Sequence, residues 1–101
     1  MSRYIIISNL TDDGAKTLKK NPGRIKEVNT EINNMGVKVI DQYAVLGNFD
    51  FLSIVEAEDE TKITKAIVEM ASRGSIKTVT YKVMEIDEFI KALKWPSVKK
   101  R

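Results

Sequence analysis

The side chains that could move a proton in this chain are carboxylates, lysines and tyrosines, because its 101 residues include no histidine and no cysteine. That excludes thiol nucleophiles, disulfides and any zinc site with Cys or His ligands. It also removes the commonest general base near neutral pH. Proton transfer would fall to Asp, Glu, Lys or Tyr groups whose pKa is moved by burial or by a neighbouring charge. Such groups stand in three settings. Asp50 follows Gly47 by three residues and precedes an apolar run, Phe51 to Ala57. Arg24 follows Asn21-Pro22-Gly23. Tyr4, Ser8, Asp41, Tyr43, Ser53, Thr78, Thr80 and Lys82 alternate with apolar residues in strand-like runs. No catalytic set or metal-ligand spacing assembles from these groups, so no catalytic residue, metal or cofactor is expected. The Asn21-Pro22-Gly23-Arg24 stretch is no phosphate loop, since it lacks both the several glycines and a preceding strand.

The positions of these residues depend on the elements that carry them. Tyr4 to Ser8 is apolar and β-branched and reads as a first strand. Thr11-Asp12-Asp13-Gly14 reads as a helix start, with Thr11 as the cap and two aspartates at the positive end. Apolar residues at 15, 18, 25, 28, 32 and 35 recur with helical period, interrupted by Pro22. A proline inside a helix costs about 3 kcal/mol, so the spacing predicts a short helix near 12–20 and a longer one near 22–35. Asn21 would cap the second helix and Gly36 would stop it. Strands follow at 37–46 and 50–57, joined across Gly47 to Asp50 as a hairpin. A helix from Asp59 ends at Gly74, a fourth strand spans 76–84, and an amphipathic helix covers 87–94 before Trp95-Pro96. The order β-α-β-β-α-β predicts an α+β, ferredoxin-like fold: a four-stranded antiparallel sheet with both helices on one face.

Length and composition set the remaining bounds. One domain is expected, with 1–84 as its body and 85–101 as a short helix and basic tail. Net charge is +3, and the last eight residues hold four cations and no acid, which leaves 13 cations against 14 acids elsewhere. A nucleic-acid surface would place its cations on the folded body, so nucleic acid is not an expected partner. No run is long and apolar enough for a membrane span and no signal peptide is visible, so a cytoplasmic location is expected. The bias toward Lys, Glu and Ile is thermophile-like.

Alternation along a strand gives each strand two sets of side chains. The purely apolar sets, Ile5 and Ile7, Leu52 and Ile54, Val79 and Val83, are assigned to the helix side. The other face then shows Tyr4, Ile6 and Ser8; Asp41 and Tyr43; Phe51, Ser53 and Val55; and Thr78, Thr80 and Lys82. A monomer rarely leaves such a patch bare, so a second copy is expected to cover it. The polar groups would line either a closed interface or a small ligand cavity between the copies. On this reading Tyr4 and Tyr43 are interface residues, and Lys82 is the group whose pKa burial would shift. Gly47 would supply a positive φ or a close backbone approach. Asp50 would accept backbone amides at the corner, or would contact a ligand or subunit at the rim. Arg24, at the positive end of a helix, would pair with an acid or reach an anionic ligand.

The segments "GNFD", "TDDG", "NPGR", "VEAED" and "GSIKTVT" together resemble the GYD domain family over roughly residues 1–84. Phe49 stands where the family carries the tyrosine of its motif. The resemblance implies a dimeric α/β-barrel arrangement, in which two ferredoxin-like sheets pack face to face. It does not imply an established activity. The segment from 47 to 84 also resembles the effector domains of feast/famine regulators, which form dimers and higher rings and bind amino acids between subunits. The expected function is therefore a homo-oligomeric module that binds a small molecule or serves a regulatory or assembly role. The alternative is a cofactor-independent enzyme, monooxygenase- or isomerase-like, working in the barrel cavity.

Overall fold

The computed structural model describes residues 1–94, so Trp95-Pro96 and most of the basic tail lie outside the described residues. The chain runs β1 (Ser2–Leu10), α1 (Asp12–Lys20), α2 (Arg24–Asn34), β2 (Val37–Ala44), β3 (Phe51–Ala57), α3 (Glu60–Ser72), β4 (Ile76–Val83) and α4 (Ile86–Lys94). The strands form one antiparallel sheet in the order β2-β3-β1-β4. This is the expected ferredoxin-like arrangement, with α4 added at its end.

Local chemistry explains most of the boundaries. The Thr11 hydroxyl accepts the Gly14 amide at 3.1 Å, and Asp59 Oδ1 accepts the Lys62 amide at 3.1 Å, capping α1 and α3. Pro22 does split the helical period, but Asn21 is not the cap of α2. Its amide closes α1 onto the Thr17 carbonyl at 2.8 Å, and its own carbonyl accepts the Arg24 amide at 3.0 Å. A tight turn therefore occupies 21–23 and α2 starts at Arg24. Gly36, at φ +92°, stops α2 in a conformation that side-chain-bearing residues avoid. Gly47 has neither property ascribed to it: its φ is not positive, and a Cβ there would meet nothing closer than Val45 Cγ1 at 3.6 Å.

The hairpin is longer than the four-residue spacer, because strand pairing stops at Ala44 and resumes at Phe51. Asp50 makes the corner. Its Oδ2 accepts the Leu10 amide at 2.8 Å, its amide donates to the Ser8 carbonyl at 2.9 Å, and its carbonyl accepts the Val45 amide at 2.8 Å. One residue thus ties the end of β1 to the hairpin. Asp50→Ala is expected to cost about 1–2 kcal/mol in urea unfolding, because it strands a partly buried amide. Asp50→Asn, which keeps an oxygen acceptor, should cost less than half of that.

The two faces of the sheet are the reverse of the expectation. Tyr4 and Ile6 are 2% and 3% exposed and share one core with Ile32 of α2 and with Ile63, Ala66 and Met70 of α3. Register places Ser8, Phe51, Ser53, Val55, Thr78, Thr80 and Lys82 on that same helix-side face. The uncovered face carries the apolar set instead: Ile5, Ile7, Leu52, Ile54, Val79, Tyr81 and Val83. Asp41 and Tyr43 do lie on the open face, opposite Ile54 and Leu52. A register shift between Val39 and Asp41 puts them there, since Val37 and Val39 before it face the helices.

Candidate functional site

Two features could carry function, one on each side of the sheet. The first is the open face. Tyr43, Val79 and Tyr81 are more than half exposed, and Ile5, Ile7, Leu52 and Ile54 sit partly exposed between them. At one end, Arg3 pairs with Glu56 at 2.6 Å and reaches Glu85 at 3.9 Å, so the charges there are matched. The hydrogen bond from Arg3 holds the Glu56 carboxyl below the usual carboxylate range, against a smaller opposing effect of desolvation. Beyond β4, α4 exposes a second apolar stripe of Ile86, Phe89, Ile90 and Leu93.

The second feature is a cavity of about 130 Å³ between the sheet and helices α1, α2 and α3. Ser8, Arg24, Phe51 and Ser53 line it together, so four of the polar and aromatic residues singled out in the sequence do converge. They converge beneath the helices and not on the open face. Asn29, Gln42 and Arg73 join them. Asn29 Nδ2 donates to Gln42 Oε1 at 2.8 Å, Gln42 Nε2 returns a bond to Asn29 Oδ1 at 3.3 Å, and the same nitrogen donates to Ser53 Oγ at 3.1 Å.

Glu31 of α2 holds both arginines of the cavity wall. Arg24 Nη1 reaches it at 3.1 Å and also meets Glu27 at 3.2 Å. Arg73 binds Glu31 closely and Glu69 at 3.0 Å. The apparent misfit of Arg24 at a helix start is thus resolved by two acids on its own helix. The hydrogen bonds from Arg73, and then from Arg24, lower the Glu31 pKa. A carboxylate depressed in the folded state contributes stability above its unfolded pKa of about 4.3, and loses it as pH falls through the folded value. In urea unfolding between pH 7 and pH 3, the midpoint advantage of the parent over Glu31→Gln is therefore expected to be flat near neutrality and to vanish at the acid end. Added salt should shrink it, since the cluster is exposed.

The remaining candidates fall elsewhere. Lys82 is exposed, and its Nζ donates to Glu60 Oε2 at 3.1 Å, which raises its pKa. It is not the buried, depressed lysine that a cavity enzyme would use as a base. The Tyr4 hydroxyl and Thr80 Oγ1 are buried on the helix side without a hydrogen-bond partner among the described residues. Thr78 is half-buried in β4, and Gly47 sits exposed in the hairpin. Sequence reasoning missed Asn29, Gln42 and Arg73, and it missed the open-face role of Ile7, Leu52 and Tyr81. The phase change at Ile40 was the available signal for Gln42: once one residue is skipped, Gln42 falls in step with Val37 and Val39.

Among the described residues, no helix is long and apolar enough to cross a membrane. Comparison with known proteins agrees with the fold. The structure resembles that of MtbAldR with a TM-score of 0.60 at 20% identity, over 83% of this chain and 52% of that one, so the chain spans about half of MtbAldR. It resembles FFRP-DM1 with a TM-score of 0.57 at 21% identity, over 83% of this chain and all of that one. Likenesses at this identity speak for the fold alone. A protein of Thermus thermophilus, named glutamine synthetase and cystathionine beta-lyase binding protein, is 52% identical over 95 residues, covering 93% of this chain and the whole of that one. The GYD domain pattern matches residues 4–93, taking in α4 as well as the sheet and its helices. By that match over nearly its whole length, the chain belongs to the GYD domain family.

Proposed function

We propose that this protein is a homo-oligomeric regulatory module, at least dimeric, that binds metabolic enzymes and takes a small molecule. The observation that carries the assembly is the open face, on which seven apolar side chains from three strands form one uncovered layer. Burying on the order of 600 Å² of it yields about 15 kcal/mol before the costs of association. A second copy of the chain is the natural cover: the part of the face built by β1, β3 and β4 is apolar between its ends, the Arg3–Glu56 ion pair at one end is formed within one subunit, and a two-fold axis brings the same face to itself. Exposed α4 supplies further apolar surface for the same assembly or for an enzyme partner.

The enzyme partners are argued from the relative. Its name states that it binds glutamine synthetase and cystathionine beta-lyase, and it shares 52% of residues along its whole length. We assign the same two partners to this chain, and a cytoplasmic location with them. Sedimentation velocity at micromolar concentration should show at least two chains per particle. Gel filtration after mixing with each enzyme from the same cell should show co-elution with at least one. A particle of single chains overturns the assembly, and separate elution from both enzymes overturns the partners.

A further inference from the structure

We infer that the cavity between the sheet and α1, α2 and α3 binds a small neutral molecule with a compact hydrocarbon body and one amide, carbonyl or hydroxyl group. The inference rests on the small-molecule part of the reading above and names its site and ligand class. It places that site on the side of the sheet away from the proposed subunit contact.

Size comes first. The space of about 130 Å³ is close to that of apolar cavities which admit a benzene ring, on the order of six to eight heavy atoms. Lining comes second. Ile6, Val28, Ile32, Val39, Phe51 and Met70 give it apolar walls from five elements, β1, α2, β2, β3 and α3. Into these walls is set one polar cluster, Asn29, Gln42 and Ser53. The reciprocal amide pair uses only part of the capacity of Asn29, whose carboxamide has two N–H donors and two acceptor sites. A wholly apolar guest would leave that capacity unmet, whereas a guest with one amide or hydroxyl can meet it.

Charge decides the rest. Arg24 and Arg73 line the cavity, but Glu31 holds both, with Glu27 and Glu69 holding one each. Two cations already face three carboxylates, so an anion entering the cavity would shed its water without gaining an unmatched positive charge. None of the three carboxylates is part of the cavity wall, so a ligand ammonium finds no acidic partner there. The cavity is therefore matched to a neutral guest.

The test uses isovaleramide as probe, with isovalerate as its charged isostere, titrated into the isotopically labelled full chain and followed by amide NMR shifts. Isovaleramide should produce saturating shifts at Ser8, Asn29, Gln42 and Ser53 with a dissociation constant of about a millimolar. Isovalerate should bind at least about tenfold more weakly. Val28→Phe, which fills the cavity from α2, should abolish the shifts while keeping a dispersed native spectrum. Should that variant not fold, Thr17→Leu narrows the same space from α1. Absence of shifts at those amides, equal binding of isovalerate, or unchanged titration of a folded cavity-filled variant would each overturn the inference. Sedimentation of the same samples reads self-association separately, so failure of the cavity and failure of the assembly are told apart.

Discussion

Ile7→Lys is expected to turn the protein into folded single subunits, whereas Ile6→Lys, one residue away, is expected to prevent folding. Ile7 pairs with Leu52 on one side and Val79 on the other, in the middle of the open face. A lysine there stays solvated in a lone subunit and costs that subunit no more than about 1 kcal/mol in strand preference. In a face-to-face pair it enters an apolar layer twice, once from each copy. The desolvation penalty is several kcal/mol per ion. Each 1.4 kcal/mol is a factor of ten, so the dissociation constant should rise by at least about a thousandfold. Ile6 is 3% exposed, in the core beneath α2 and α3. A lysine at that position buries an unpaired charge in the monomer itself, which exceeds the few kcal/mol that hold a domain of this size together. Sedimentation velocity with far-UV circular dichroism separates the outcomes. If Ile7→Lys leaves the particle mass of the parent unchanged, the open face is not where copies meet.

That pair of substitutions also marks where the sequence becomes silent. Thr11-Asp12-Asp13, Gly36, Asp59 and the helical period all declare themselves locally, since caps and stops are made within a few residues of the signal. The facing of the strands is different. Ile5-Ile6-Ile7 has no alternation to read, and Leu52 to Val55 offers only Ser53 as a polar mark. Ser53 and Ser8 point inward, against the usual rule that polar groups face water; Gln42 of β2, itself bonded to Asn29 of α2, reaches in to donate to the Ser53 hydroxyl. Those partners lie eleven and more residues away in the chain, beyond any local pattern. The greasier set faces outward, since α1, α2 and α3 cover one side of the sheet and leave Ile5, Ile7, Leu52 and Ile54 partly exposed on the other. The surplus of apolar strand residues was legible in the sequence, while the side of the sheet on which it lies was not. The cavity was hidden for the same reason, since its walls come from separate strands and all three helices of the covered face.

Gly14→Ala is expected to destabilise the protein by about 2–4 kcal/mol, although helix propensity alone predicts a gain of about 1 kcal/mol. Gly14 lies in the first turn of α1, where an alanine would ordinarily be welcome. Its α-carbon faces the turn between α3 and β4, and a Cβ built there stands 2.0 Å from the Ser75 carbonyl oxygen and 3.0 Å from the carbonyl carbon. Both obstacles are backbone, so neither can swing aside as a side chain would. That turn is also what anchors α1: the Thr11 amide donates to the Ser75 carbonyl at 3.0 Å, and its hydroxyl donates to the Gly74 carbonyl at 2.6 Å while accepting the Gly14 amide. Moving α1 far enough to admit a methyl group breaks these bonds and opens the cavity, of which Gly14 is part of the wall. Gly47→Ala is the matching control, because a Cβ there has room and φ is not positive. Its effect should stay within about 0.5 kcal/mol. Urea unfolding of the two variants beside the parent decides the matter: near-parental stability of Gly14→Ala would mean that the close approach of α1 to the turn at Ser75 does not hold in solution.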